Sequence, residues 1–303
     1  MPPENIPGSM QGVFPILVTP FDEKARIDEE SLRRLIDFNI DAGVHGLGVA
    51  LGSEIFKLSE AERDEVTRIV VDQVRQRVPV VINTGAPGTD LAVLYSRRAE
   101  ELGADALMII PPNFMPAGAG EVLEYYKAIS DAVQIPIFLQ DVPSAPIPAP
   151  LARQIAETCE QVRYIKVETV PVTVKVAEMV AKAGDKLTIF GGAGGGYFIE
   201  ELRRGSLGTM PFCSQPEAFV QVWKLMQSGD EETARTVFDQ VIAPINRIAS
   251  QGAGIFYHVH KELLRQRGII ATNFVRSPAP PIDEITAHEL EHLIHDLYLA
   301  NSI

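Results

Sequence analysis

The sequence predicts a (β/α)8 barrel with a C-terminal helical appendage. Three observations predict it. Eight short apolar runs alternate with eight stretches of helical periodicity. Each strand-plus-helix unit spans roughly 20–35 residues, as parallel βα units require. The strand runs are apolar almost throughout, the pattern of strands buried on both faces. Eight such units close a barrel. The alternative is an open doubly wound sheet, but no glycine-rich phosphate loop follows the first strand.

The first strand is read at Gly12–Thr19 (GVFPILVT), closed by Pro20. Ile27-Asp28-Glu29-Glu30-Ser31 opens a helix with acidic residues at its positive end. Leu32, Leu35, Ile36 and Ile40 then recur at helical spacing until Gly43. A second strand at Gly46–Ala50 precedes the capping box Ser59-Glu60-Ala61-Glu62, whose helix runs to about Arg77. Strands at Pro79–Asn83, Ala104–Ile110 and Pro136–Gln140 alternate with helices from about Thr89 to Leu102 and from Glu121 to Ala132. A helix at Pro150–Glu160 leads to the strand Val162–Glu168, and a helix at Val172–Lys182 follows. Leu187–Phe190 and Gly208–Phe212 are the last strands, with helices at Tyr197–Arg204 and Pro216–Gln227. After about Gly229 the alternation stops. Asp230–Ser250, Ile255–Arg267 and Ile285–Leu299 read as helices without intervening strands. Residues 1–228 are therefore expected to form the barrel, and 229–303 a helical extension packed on it.

The chain has 303 residues and a formal charge of −13. That charge argues against nucleic acid and anionic membranes as partners, but not against a small anion held by the local field of a pocket. Two cysteines, Cys159 and Cys213, are too few for a disulfide framework and suggest a reducing compartment. No segment has the unbroken apolar length of a membrane span, and the N-terminus lacks the pattern of a signal peptide. The expected location is the cytoplasm. No His, Asp or Glu grouping has metal-ligand spacing, so neither metal nor cofactor is expected.

The chemistry is read from Val162-Arg163-Tyr164-Ile165-Lys166-Val167-Glu168. Its β-branched and aromatic residues make it a strand of a kind normally buried. Dehydrating a lysine ammonium costs several kcal/mol unless it is paired or neutralised. Lys166 and Glu168 are two apart and share one side of the strand. One reading is an edge-strand ion pair facing water. The other is a lysine with a depressed pKa, able to attack a carbonyl and form a Schiff base. In a barrel, chemistry gathers at the C-terminal ends of the strands. That end here carries Gly52-Ser53-Glu54, Asn83, Gln140-Asp141, Lys166, Glu168 and the run from Gly191 to Gly196.

Several segments, in order, resemble the dihydrodipicolinate synthase / N-acetylneuraminate lyase family of Schiff-base-forming aldolases and dehydratases. They are GVFPILVTPF, DAGVHGLGV, GSEIFKLSEAER, ADALMIIPP, IPIFLQDVPS and YIKVE. The resemblance runs from about Gly12 into the C-terminal helices. It implies a (β/α)8 (TIM) barrel, a homotetramer, and Lys166 forming an imine with pyruvate or another 2-oxo acid.

Departures from the family pattern narrow the chemistry. Where members carry a Gly-Thr-Thr-Gly-Glu or Gly-Ser-Thr-Gly-Glu loop, this chain has Ala50-Leu51-Gly52-Ser53-Glu54. The hydroxyl pair is lost, leaving the Ser53 hydroxyl and the Gly52 and Ser53 N–H groups for a carboxylate. Gln140 replaces a fifth-strand tyrosine that relays protons, which an amide cannot do. Ala145 stands for an arginine and Asn113-Phe114 for a tyrosine pair. These changes weigh against dihydrodipicolinate synthesis. A branch of dehydratases acting on 2-keto-3-deoxy sugar acids, that of L-2-keto-3-deoxyarabonate dehydratase, resembles the chain at Ser53-Glu54-Ile55-Phe56, Gln140-Asp141 and Lys166-Val167-Glu168-Thr169.

The resemblance thus implies Lys166 as nucleophile and Glu168 as general base or acid, with Gln140, Ser53 and Asp141 positioning the substrate. Glu168 could instead be a structural partner of the lysine. Glu54 could be a loop carboxylate bonding backbone N–H groups, and Asp141 a turn cap. Gly191 and Gly192 begin a backbone-lined wall that admits the substrate chain, not a P-loop. A pyruvate-dependent aldolase, a synthase-like condensation and a non-catalytic barrel that binds 2-oxo acids are the competing functions.

Overall fold

The computed structural model describes residues 9–115 and 117–299. Eight parallel strands run β1 Gly12–Val13, β2 Leu47–Val49, β3 Val80–Asn83, β4 Ala106–Ile109, β5 Ile137–Asp141, β6 Val162–Val167, β7 Thr188–Gly191 and β8 Gly208–Thr209. They lie in the order β1-β8-β7-β6-β5-β4-β3-β2. The first and second strands then meet across the remaining seam. His45 N–H donates to Val13 O, Gly48 N–H donates to Pro15 O, and Ile16 bridges Gly48. The sheet is thereby a closed ring of parallel strands.

The crossover helices are α1 Glu29–Asp41, α2 Glu60–Val74, α3 Thr89–Glu101, α4 Ala119–Ser130, α5 Ala149–Thr158, α6 Val172–Ala183, α7 Phe198–Leu202 and α8 Pro216–Ser228. Their ends follow local chemistry. Asp28 caps α1 by accepting from Ser31 N–H, and the Ser59–Glu62 capping box opens α2 with both of its bonds formed. Proline begins α8, where its missing N–H costs nothing.

Side-chain alternation divides the barrel into layers. Val81, Met108, Phe138, Tyr164, Phe190 and Met210 point inward and pack with Phe14 and Ile16. Phe138 and Tyr164 stack with centroids 4.3 Å apart, and Phe14 meets Phe190 edge-on at 5.3 Å. The barrel is therefore a filled core with an aromatic floor, not a pore. Two residues further along each strand lie Asn83, Gln140, Lys166, Gly192 and Phe212, the next layer up. Opposite register sets Lys166 beside Gln140 on β5 and Phe190 on β7. A second, larger cluster fills the space between strands and helices.

One irregularity explains a residue that fits a buried strand badly. Ile137 pairs with Val162 but Phe138 pairs with Tyr164, so Arg163 is bulged out of the ladder and exposed.

Beyond α8 come α9 Glu231–Val237, α10 Ala243–Ala249, α11 Ile255–Gln266 and α12 Glu284–Ile294. A π turn, Phe238–Ile242, joins α9 to α10. Pro244 has no N–H to give a carbonyl one turn back, and the helix passes it by widening. Ile245, Ile248, Val259, Leu263, Leu290 and Ile294 hold α10, α11 and α12 together. No helix among the described residues is long and apolar enough to cross a membrane.

Candidate active site

Lys166 rises from the aromatic floor near the C-terminal end of β6. Only 4% of it is exposed. Its Nζ lies 3.1 Å from Glu168 Oε1. An ion pair this dehydrated holds together only when its remaining polar atoms are satisfied, and here a chain of hydrogen bonds does so. Asn83 Nδ2 donates to Gln140 Oε1 at 3.0 Å, and Gln140 Nε2 donates to Glu168 Oε2 at 3.1 Å. Ala193 N–H donates to Glu168 Oε1 at 3.3 Å. Gln140 therefore fixes the carboxylate from one side with its amide while Lys166 meets it from the other. The edge-strand reading of Lys166 is overturned: β6 lies between β5 and β7, and the amine faces inward.

The pair opens into a cavity of about 770 Å³, within the range of small-molecule sites. Gly52, Gln140, Lys166 and Glu168 line it. Ala193, Gly194 and Tyr197 form one wall, Phe212 and Phe256 an apolar one. The roof belongs to α10 and the turn after it, which present Asn246, Arg247 and Ser250. Asn246 Nδ2 also donates to Gly194 O at 3.2 Å, tying the roof to the glycine wall. Gly192 must be glycine for this packing: a Cβ there would stand 2.4 Å from Glu168 Cγ and 2.9 Å from Lys166 Cε.

Four residues expected to contact substrate point elsewhere. The Ser53 hydroxyl donates to Leu17 O and accepts from Ala50 N–H. Its own N–H is committed to Ala50 O at 2.8 Å, so the carboxylate cradle expected from Gly52 and Ser53 loses Ser53. Glu54 is fully buried. Its carboxylate meets Lys261 at 2.5 Å and Lys57 at 2.9 Å and accepts from Arg276 N–H at 3.2 Å. Burial pushes Lys261 down to about 8, against the pull of Glu54. Asp141 is likewise saturated. Its Oδ1 accepts from Ile147 N–H, Thr169 Oγ1 and Lys175 Nζ, and its Oδ2 from Thr169 N–H. That clamps the loops after β5 and β6 together. Gly191 abuts Glu201, behind the cavity wall. The residues that sequence reasoning missed are those of the roof and Glu201. Asn246 and Arg247 lie in an amphipathic helix, with no local mark of a site. Among the described residues, no cluster of three or more His, Cys, Asp or Glu side chains could hold a metal ion.

The family model described as the dihydrodipicolinate synthetase family matches residues 9–297. L-2-keto-3-deoxyarabonate dehydratase of Azospirillum brasilense is 31% identical over 287 residues, 92% of this chain and 92% of its own length. A dihydrodipicolinate synthase structure from Rhodopseudomonas palustris superposes with a TM-score of 0.87 at 27% identity, covering 98% of this chain and 99% of that one. The E. coli prophage protein YagE, of the dihydrodipicolinic acid synthase family and solved in complex with pyruvate, gives 0.88 at 26% identity, covering 95% and 99%.

Proposed function

The chain belongs to the dihydrodipicolinate synthetase family, and from that premise we propose that it is a lysine-imine lyase that removes water from a 2-keto-3-deoxy sugar acid. The observation that carries the proposal is the buried Lys166–Glu168 pair, 3.1 Å apart, on a cavity large enough for a sugar acid. The dehydratase from Azospirillum brasilense supports the substrate class. The pyruvate complex of the E. coli relative supports a 2-oxo acid as the group recognised. Gln140, where family members carry a proton-relaying tyrosine, favours a reaction in which one carboxyl group handles the protons.

The steps follow from these groups. Lys166 Nζ, its proton passed to Glu168, attacks the C2 keto carbon, and the keto oxygen leaves as water to give an iminium. The iminium acidifies C3. Glu168 removes a C3 proton, and the electron pair flows through the enamine to expel the C4 hydroxyl. Glu168 returns its proton to that hydroxyl, which departs as a second water. For a five-carbon acid a proton then moves from C5 of the unsaturated iminium to C3, and hydrolysis of the imine restores Lys166. The freed enol takes a proton at C4 as its C5 hydroxyl gives one up, which yields the saturated 2-oxo semialdehyde. Gln140 holds Glu168 at one angle throughout, which is how a single carboxylate can serve two atoms in turn. The distal hydroxyls of the sugar face Asn246 and Ser250 on the roof. The proposal extends to the homotetramer that the family resemblance implies and to a cytoplasmic location.

Incubation with a panel of 2-keto-3-deoxy sugar acids tests the reaction. The expected product is a 2-oxo semialdehyde without pyruvate. Release of pyruvate would replace dehydration by aldol cleavage, and binding without turnover would leave a non-catalytic barrel. The role of Glu168 has its own test. Glu168→Gln should lower kcat by roughly 10²–10⁴, the usual worth of a general base, yet still form a borohydride-trappable adduct. Normal turnover in that variant would remove Glu168 from the proton steps.

A further inference from the structure

Glu201 is a carboxyl group that the proposed reaction does not use. It sits on α7 with its side chain fully buried, and neither oxygen has a hydrogen-bond partner among the described residues. Buried polar atoms almost always find partners, so an orphan carboxyl needs a reason. Its position supplies one. A Cβ on Gly191 would lie 1.7 Å from Glu201 Oε2, while a Cβ on Gly192 would lie 2.4 Å from Glu168 Cγ and 2.9 Å from Lys166 Cε. Glu201 and the Lys166–Glu168 pair therefore press on the Cα atoms of adjacent glycines. Those atoms are about 3.8 Å apart, one peptide unit. Any side chain at either glycine would displace one of the two carboxyl groups.

We propose that Glu201 is a positioning residue: a second carboxyl group behind the Gly191-Gly192 wall, whose charge acts through that wall on Lys166 and Glu168 and limits imine formation at alkaline pH. The proposal rests on the imine reading of Lys166.

Burial, and then repulsion from Glu168, push the Glu201 carboxyl up to about 8. The Gly192 N–H and Lys166 pull the other way, the N–H in geometry too loose for a hydrogen bond. Glu200, on the same helix, adds a weaker repulsion and is itself paired with Arg235 at 2.5 Å. On the flanking helices Lys175 is paired with Asp141, Lys182 with Glu178 and Glu217 with Arg267, and Lys224 is exposed. At neutral pH Glu201 is thus a neutral acid and adds no charge beside the Lys166–Glu168 pair. Above about 8 a second negative charge appears beside the pair. Two carboxylates favour the ammonium form of Lys166, which cannot attack a carbonyl.

The test is the pH dependence of borohydride trapping with pyruvate, with the label mapped to its residue. In the wild-type protein the trapping rate should bend downward near pH 8. In Glu201→Gln the bend should vanish, so that the ratio of the rate above it to the rate below it rises by roughly threefold or more. Glu201→Met, which buries no polar atom, is the second variant and should show the same profile. Superimposable profiles in wild type and either variant would overturn the inference while leaving the imine intact. Label at a residue other than Lys166 would overturn both. A readout on the wild type alone needs no variant to fold. Its protonated-carboxyl infrared band should titrate away near pH 8 and shift its midpoint once Lys166 is trapped. A missing band, or an unmoved midpoint, would also overturn the inference.

Discussion

Lys166→Ala should lose turnover by at least roughly 10³-fold, about 4 kcal/mol of transition-state stabilisation, and should lose pyruvate-dependent borohydride labelling entirely. The size of the effect follows from the role. Every step of the proposed reaction passes through a covalent bond to this nitrogen, and Glu168 alone cannot acidify C3 of a free ketone to the same degree. Lys166→Arg separates nucleophilicity from charge. A guanidinium keeps the ion pair with Glu168 but does not give up its proton, so this variant should be as inactive as the alanine one. Neither change should unfold the protein. Without the amine, Glu168 keeps its bonds from Gln140 Nε2 and Ala193 N–H and has solvent at the cavity. Mass spectrometry of trapped peptides and a melting curve make the measurement. Turnover within tenfold of wild type in Lys166→Ala would end the imine account.

Why Lys166 could be picked out from the chain alone, and Glu201 could not, is a matter of range. A lysine inside an apolar β run conflicts with its immediate neighbours, and the conflict is visible in seven residues. The capping box at Ser59–Glu62 is equally local, and both of its bonds form. Glu168 could be paired with Lys166 because a strand's two-residue period needs no tertiary knowledge. Ser53, Glu54 and Asp141 had the right residue types in the right loops, but their partners decide what they do. Lys261 lies 207 residues from Glu54, and Lys175 lies 34 from Asp141. A carboxylate free to meet substrate and one saturated by distant donors read the same in sequence. The α10 roof was unreadable for a related reason. Its periodicity announces a helix, and only its docking over the barrel mouth turns Asn246 and Ser250 into lining. Arg163 is the opposite case, a charge in a buried strand that a bulge carries to the surface.

Glu54→Leu should destabilise the fold by about 3–5 kcal/mol, the usual cost of leaving a buried charge without its partner. The carboxylate stands between two ammonium groups that are themselves dehydrated. Lys261 is fully buried, and the Lys57 side chain is 6% exposed. Both also donate to the strap of irregular chain between α11 and α12, Lys261 to Phe274 O and Lys57 to Arg276 O. Removing the carboxylate sets two cations against each other, with carbonyl oxygens and the rings of Phe21 and Tyr257 as weaker relief. Removing Lys261 instead leaves Glu54 still paired with Lys57, so Lys261→Met should cost less. In the Glu54→Leu background, Lys261→Met should recover part of the loss, because it removes one of the stranded charges. The sign of that coupling is what distinguishes an ion cluster from ordinary packing. Denaturant unfolding of the three variants reads it directly. The outcome also decides between two roles for one residue. If Glu54→Leu unfolds at the wild-type midpoint but loses turnover, Glu54 works on substrate, as its loop position implies. If stability falls and Lys261→Met partly rescues it, Glu54 fastens α11 and the strap to the barrel and so holds the roof over Lys166.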